Sequence, residues 1–276
     1  MAAAPIRLVV SDVDGTLVTT DKRLRPAAIE AVRAIRAAGA RFTLISSRPP
    51  RGMAAVAQAL GIDEPMAAFN GGTLFIPGGE VLEAHRLEAG AAREAIGLLE
   101  QGGVGVWVDA DGAWRLKDPA GPHVDHEHHT IGFGPTVVSS FEDVIDRIDK
   151  IVGVSDDHVL LDRLTDEAKA ALQGRAEVQR SQAYYLDVTH PKANKGDGVR
   201  ALCRRMGLEP EATAVLGDMF NDTRMFAVAG FSIAMGQAPD EVKAAASAVS
   251  PAGNDEDGFA RAVREILLPR LGGGGA

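Results

Sequence analysis

Two stretches in which strand and helix signals alternate, one at each end of the chain, constrain the fold most. Ile6–Val10 is a short run of mainly apolar β-formers that ends at Ser11 and Asp12, and it reads as a buried strand. Pro26–Ala38 carries Ile29, Val32 and Ile35 on one helical face, with Pro near the start and Gly39 just past the end. Arg41–Ile45 reads as a second strand, and Met53, Val56 and Leu60, closed by Gly61, mark a second helix. Strand, helix, strand, helix implies a parallel sheet with helices on its faces. The alternation returns near Val188. Gly198–Met206 reads as helix, Thr213–Leu216 as strand, Thr223–Ala229 as helix, Phe231–Ala234 as strand and Pro239–Ala246 as helix.

Between these stretches the rhythm changes. Val104–Val108, Asp109-Ala110-Asp111-Gly112 and Trp114–Leu116 read as a hairpin. Phe141–Val152 has Phe141, Val144, Ile145, Ile148 and Ile151 at helical spacing, which predicts an amphipathic helix packed into a core. Asp157–Leu161 and Tyr184–Val188 read as strands. The expected organisation is one α/β unit made from residues 1–83 and 188–276, with an α+β unit inserted at 84–187. The Gly run Gly272–Ala276 reads as a flexible tail.

A chain of 276 residues is long enough for two such units. Its 29 basic and 38 acidic side chains leave a net charge of −9, which argues against binding to nucleic-acid phosphates. No stretch approaches the length of a membrane span. The first residues read as mature sequence rather than as a signal peptide. Cys203 is the sole cysteine, so an intrachain disulfide is impossible, and a cytoplasmic location is expected.

The chemistry concentrates in two acidic groups, each just after an expected strand. The first is Asp12-Val13-Asp14-Gly15-Thr16. A calcium loop does not fit it, because the sixth position is Leu17 and the twelfth Arg23. In open parallel sheets, ligands bind beyond the carboxyl ends of strands. Two carboxylates there are candidates for covalent and acid–base chemistry. The second group is Gly217-Asp218-Met219-Phe220-Asn221-Asp222. Side by side, each like-charge pair about 5 Å apart costs about 3 kcal/mol at an effective dielectric near 20. Such a crevice needs a cation or shifted pKa values, and all-oxygen ligands suit Mg²⁺.

These residues carry a resemblance. Asp12-Val13-Asp14-Gly15-Thr16-Leu17 resembles the first motif of the haloacid dehalogenase (HAD) superfamily. Ser46-Ser47-Arg48 is similar to the second, usually Thr-Gly-Arg in this branch; Ser46 keeps the hydroxyl, and Ser47 stands where Gly is usual. Asn194-Lys195-Gly196 is similar to the third motif and the Gly217–Asp222 run to the fourth. Ala234-Met235-Gly236-Gln237-Ala238-Pro239-Asp240-Glu241-Val242-Lys243 resembles the Cof-type branch. The four motifs stand in order, and the long insertion lies between the second and third, as in members with a type-two cap.

The resemblance implies a Rossmann-like core, an inserted cap that selects the substrate, and a Mg²⁺-dependent phosphatase of small phosphorylated metabolites, sugar phosphates first. It implies that Asp12 is the nucleophile and forms an aspartyl-phosphate, and that Asp14 is the general acid and base. Mg²⁺ would be held by Asp12, Asp14 through its backbone carbonyl, and Asp218, with Asp222 as support. Ser46, Lys195 and Asn221 would serve the phosphoryl group. An acid at Asp14, absent from dehalogenases and P-type ATPases, implies transfer from an alcohol to water. A phosphotransferase or mutase, or a non-catalytic ligand-binding member, are the alternatives.

Several residues have a plainer reading. Ser46 could cap a helix before Pro49. Lys195 could be an ordinary surface lysine, as Lys192 is expected to be. Asn70 and Gly71, in Asn70-Gly71-Gly72, could form an ordinary turn or lie at the substrate entrance. Four of the seven histidines fall in His123–His129, which reads as a solvated loop, a strand facing the substrate, or a metal site.

Overall fold

The computed structural model describes residues 4–271; Met1–Ala3 and the Gly272–Ala276 tail lie outside the described residues. The chain opens with β1 (Leu8–Ser11), α1 (Pro26–Ala37), β2 (Arg41–Leu44) and α2 (Pro50–Leu60). Short strands β3 (Met66–Ala68), β4 (Thr73–Phe75) and β5 (Val81–Ala84) follow. Then come α3 (Ala89–Gln101), β6 (Gly105–Ala110), β7 (Ala113–Leu116), α4 (Val124–Ile131), β8 (Thr136–Val137) and β9 (Ile148–Val154). The next elements are α5 (His158–Ala171), β10 (Glu177–Gln182) and β11 (Tyr185–Thr189). The chain continues through α6 (Lys195–Met206), β12 (Thr213–Gly217), α7 (Thr223–Phe226), β13 (Phe231–Ala234), α8 (Asp240–Ala244) and β14 (Ala248–Val249).

A five-stranded sheet runs in the order β14-β13-β12-β1-β2, with every pair parallel. Both faces are covered, so β1 is apolar at successive positions rather than alternately. Val9 joins Phe42, Leu44 and Leu216 in one core, while Leu8 and Val10 join Val215 and Ala234 in the other. Because β1 lies between β12 and β2, the residues that follow these three strands emerge at one end of the sheet. This is an α/β fold of the expected kind.

A second sheet runs β10-β11-β9-β6-β7-β8 and is antiparallel except for its β7–β8 edge. Leu99 of α3 and Leu161 and Leu164 of α5 pack with Ile148, Ile151 and Val188 in its core. Strands β3, β4 and β5 make a small antiparallel sheet between the two.

Three expectations are corrected here. Phe141–Val152 is not a helix: a 3₁₀ turn at Glu142–Val144 leads into β9. β9 lies between β11 and β6, and all seven of its residues are buried. A strand covered on both faces loses its two-residue pattern, and apolar side chains then fall at helix-like spacing by accident. Asp157–Leu161 is not a strand, because Asp157 is the N-cap of α5 and accepts a hydrogen bond from the Leu160 amide at 2.9 Å. The His-rich segment is neither loop nor strand but helix α4, entered through His123 in a left-handed conformation and closed by left-handed Gly132. Among the described residues, no helix is long and apolar enough to cross a membrane.

Candidate active site

The site gathers where β1, β2 and β12 end. The Asp12 amide donates to the Leu216 carbonyl at 2.9 Å, which fixes the first residue past β1 against β12. Gly15 has φ +74°, and a Cβ there would lie 2.2 Å from an Asp218 carboxylate oxygen. Only glycine lets the two acidic loops come this close. Thr16 Oγ1 then donates to Asp218 Oδ1 at 2.9 Å.

Lys195 is the first residue of α6, whose N-cap Asn194 accepts from the Asp197 amide at 3.0 Å. The lysine is buried rather than solvated, whereas Lys192 is exposed. Its Nζ lies 2.8 Å from Asp12 Oδ1 and 2.5 Å from Asp222 Oδ1. The other Asp222 oxygen accepts from the amides of Asp218 at 2.8 Å and Met219 at 2.9 Å. Both oxygens of Asp222 are thus engaged within the protein.

Oxygens of Asp12, Asp218 and Asp222 all lie within 4.8 Å of one another. Burial pushes the Asp12 carboxyl up to about 7, helped by Asp222 and Asp14 and opposed by Lys195. Burial, then the charges of Asp12 and Asp222, push Asp218 up as well. One lysine does not balance this group. An oxygen-only, buried, charge-deficient cluster fits a hard divalent cation, with Asp222 bracing the loop.

Asp14 faces elsewhere. Its carboxylate accepts from Arg48 Nε and a terminal Arg48 nitrogen, each at 2.7 Å, and from Lys22 Nζ at 2.7 Å. Burial opposes ionisation of Asp14, but Arg48 and Lys22 outweigh it and hold the carboxyl well below the usual range. The Asp14 side chain is therefore outside the Asp12–Asp218–Asp222 group.

Ser46 is fully buried beyond β2 and does not cap α2, whose N-cap is Pro49 with no side-chain bond. Its Oγ accepts from the Arg48 amide at 3.2 Å, and its carbonyl accepts from the Asn70 amide at 2.8 Å. Asn221 Nδ2 donates to Asn70 Oδ1 at 3.1 Å, so these two expected residues meet. Asn221 Oδ1 and Asn70 Nδ2, both buried, have no partner among the described residues. Gly71 stands apart: a Cβ on it would lie 2.8 Å from the Asn194 carbonyl, so its place is against the start of α6.

Other residues at the site were not singled out as functional from sequence. Arg48 was visible in Ser46-Ser47-Arg48, but its bidentate hold on Asp14 depends on the fold. Lys22 carries no pattern that marks it, and Thr16 stands in the first motif without a role read for it. Gln237 Nε2 donates to the Gly15 carbonyl at 2.6 Å from the Cof-like run. From the six-stranded sheet and α4, Lys150, Glu127 and Tyr185 face Asp14 and Arg48 across a crevice of about 30 Å³. Lys150 Nζ donates to the Ser47 carbonyl at 3.2 Å, and Tyr185 donates to Glu127 at 3.2 Å. The His-rich helix contributes no cluster of metal ligands; the Asp12–Asp218–Asp222 group is the one found among the described residues.

A family model described as haloacid dehalogenase-like hydrolase matches residues 9–263. A putative phosphatase of Haemophilus influenzae is 28% identical over 94% of this chain and 97% of its own length. A pyridoxal phosphate phosphatase of Escherichia coli is 27% identical over 95% of this chain and 99% of its own. The crystal structure of a haloacid dehalogenase-like hydrolase from Bacteroides thetaiotaomicron superposes with a TM-score of 0.83 at 26% identity, covering 95% of this chain and 99% of that one.

Proposed function

The chain belongs to the haloacid dehalogenase-like hydrolase family and is a phosphatase; from that premise we propose that it hydrolyses phosphate monoesters of small metabolites through an aspartyl-phosphate on Asp12, with sugar phosphates the first class to test. One observation carries the reading: a buried Asp12 oxygen 2.8 Å from Lys195 Nζ, beside Asp218 and at the carboxyl end of β1.

The Asp12 oxygen attacks phosphorus, and the bond from phosphorus to the leaving oxygen breaks. Asp14 gives the leaving oxygen its proton, then takes one from the water that attacks the aspartyl-phosphate. For this, Arg48 and Lys22 must shift from Asp14 to substrate oxygens, which raises the proton affinity of Asp14. Lys195 offsets charge on Asp12 and the phosphoryl group, while the Ser46 hydroxyl and Asn221 hydrogen-bond phosphoryl oxygens. Asp12, Asp218 and the Asp14 carbonyl are the proposed Mg²⁺ ligands, and Asp222 holds the loop. The bound cation supplies charge neutralisation as negative charge spreads over the phosphoryl oxygens.

The six-stranded sheet with α3, α4 and α5, which takes up the expected insertion at 84–187 and runs on to Thr189, is proposed as the cap that closes over Asp14 and selects the leaving group. Asn70, buried against Asn221, and Gly71, packed on the start of α6, are proposed to border the substrate entrance. A cytoplasmic location is proposed on the sole cysteine, Cys203, which is buried and can form no intrachain disulfide.

The test is phosphate release across a panel of phosphorylated sugars, pyridoxal phosphate and nucleotides, each with Mg²⁺ and with chelator. Mg²⁺-dependent release from one or a few compounds is expected. Consumption of substrate with little free phosphate would instead indicate transfer to another hydroxyl.

A further inference from the structure

A second cavity lies apart from the crevice over Asp14. It has a volume of about 890 Å³ and lies between α2 and the β3–β5 sheet on one side and the six-stranded sheet on the other. Ala57, Ile62, Met66, Phe69 and Phe75 line it with apolar surface, and half-exposed Val81 extends that surface to the mouth. Two polar groups in its wall have unmet needs. Thr73 is only 3% exposed, and its Oγ1 has no hydrogen-bond partner among the described residues. The Asp149 side chain is 9% exposed, and its one ion-pair partner, Arg86, is largely solvated and loosely placed at 3.4 Å.

The other charged residues of the lining are committed or solvated. Asp111 accepts from Arg147 at 2.9 Å, Arg51 lies 4.5 Å above the Phe133 ring, and Asp63 is exposed. Asp149 is therefore the one buried charge that faces the cavity. Burial pushes its carboxyl up to about 6 against the pull of Arg86, the mark of an under-compensated carboxylate.

We propose that this cavity is a second ligand site, distinct from the phosphatase site, that takes a small hydrophobic monocation: an aromatic or alkyl body on the apolar floor, an ammonium on Asp149 and a hydrogen bond to Thr73. Such a ligand touches both sheets at once, through α2 and Thr73 on one side and Asp149 and the Asp111-Gly112 turn on the other. It holds them in the arrangement in which the crevice over Asp14 has only about 30 Å³, room for a water or two and for no leaving group. By reciprocal linkage it opposes substrate binding and slows turnover. The inhibitory part rests on the phosphatase reading above; the binding part does not.

The test uses tryptamine as the probe and indole-3-propionate as its anionic counterpart, titrated calorimetrically into the full chain. Tryptamine is expected to bind saturably, and the anion about tenfold more weakly or worse. Asp149→Asn removes that preference. Ala54→Trp, at an exposed helix position on the lining, blocks both probes without touching the core. Equal binding of the two probes, a preference that survives Asp149→Asn, binding unchanged by Ala54→Trp, or no saturable binding up to ~5 mM overturns the site. Bound tryptamine that leaves phosphate release unchanged overturns the inhibition alone, and a chain with no phosphatase activity that still binds tryptamine leaves the site standing.

Discussion

At the scale of single residues, the site is a problem in charge. Asp12, Asp218 and Asp222 share a buried space with one lysine, and Asp222 spends both oxygens on Lys195 and two backbone amides. The carboxylates are treated unequally. Asp12 and Asp218 have their ionised forms disfavoured and gain most from a cation, while Asp14, held by Arg48 and Lys22, sits apart. Asp218→Asn should therefore raise the Mg²⁺ concentration for half-maximal activity by about tenfold or more, while the circular dichroism spectrum stays unchanged. An unchanged Mg²⁺ titration would remove Asp218 from the metal site. The acidic motifs were legible in sequence because they follow apolar strands. The Arg48–Asp14–Lys22 cluster was not, since no local pattern marks a salt bridge between residues brought together only by folding.

At the scale of elements, the readable parts were those whose ends are punctuated. Helix α2 starts at Pro50 and stops at left-handed Gly61, and α1 starts at Pro26. β9 and α5 were misread because neither shows its own periodicity: β9 is buried along its whole length, and the stretch read as a strand is the cap and first turn of α5. Gly71 shows how tightly the elements near the site are joined. It has φ +97°, and a Cβ would meet the Asn194 carbonyl and the Gly198 Cα, both at 2.8 Å. Gly71→Ala combines backbone strain with displacement of α6, so a loss of about 2–4 kcal/mol is expected in urea unfolding. A loss below about 0.5 kcal/mol would mean that the turn moves freely of α6.

At the scale of the whole molecule, two sheets meet over Asp14, and Lys150 joins them by reaching from β9 to the Ser47 carbonyl. Its other neighbours are buried acids: Asp187 lies 4.0 Å away, and burial pushes Asp109 up to about 7 against the pull of Lys150. The sign follows from proton binding. Folded Asp109 keeps a proton that the unfolded chain has released above its ordinary 3.8, so this contribution to stability falls as pH rises from about 4 through about 7. Lys150→Met removes the cation that eases ionisation. The variant should lose about 3 kcal/mol at pH 8 and clearly less at pH 5, as read from thermal melts. Equal losses at the two pH values would contradict this view of the cluster.

The central claim is that Asp12 carries the phosphoryl group. It is tested most directly by Mg²⁺-dependent phosphate release from wild type and Asp12→Asn, assayed side by side on the best substrate of the panel, with thermal melts to show that both are folded. A loss of at least about 10³-fold in kcat from a folded variant is the predicted result. A folded Asp12→Asn that keeps activity within about tenfold of wild type would contradict it.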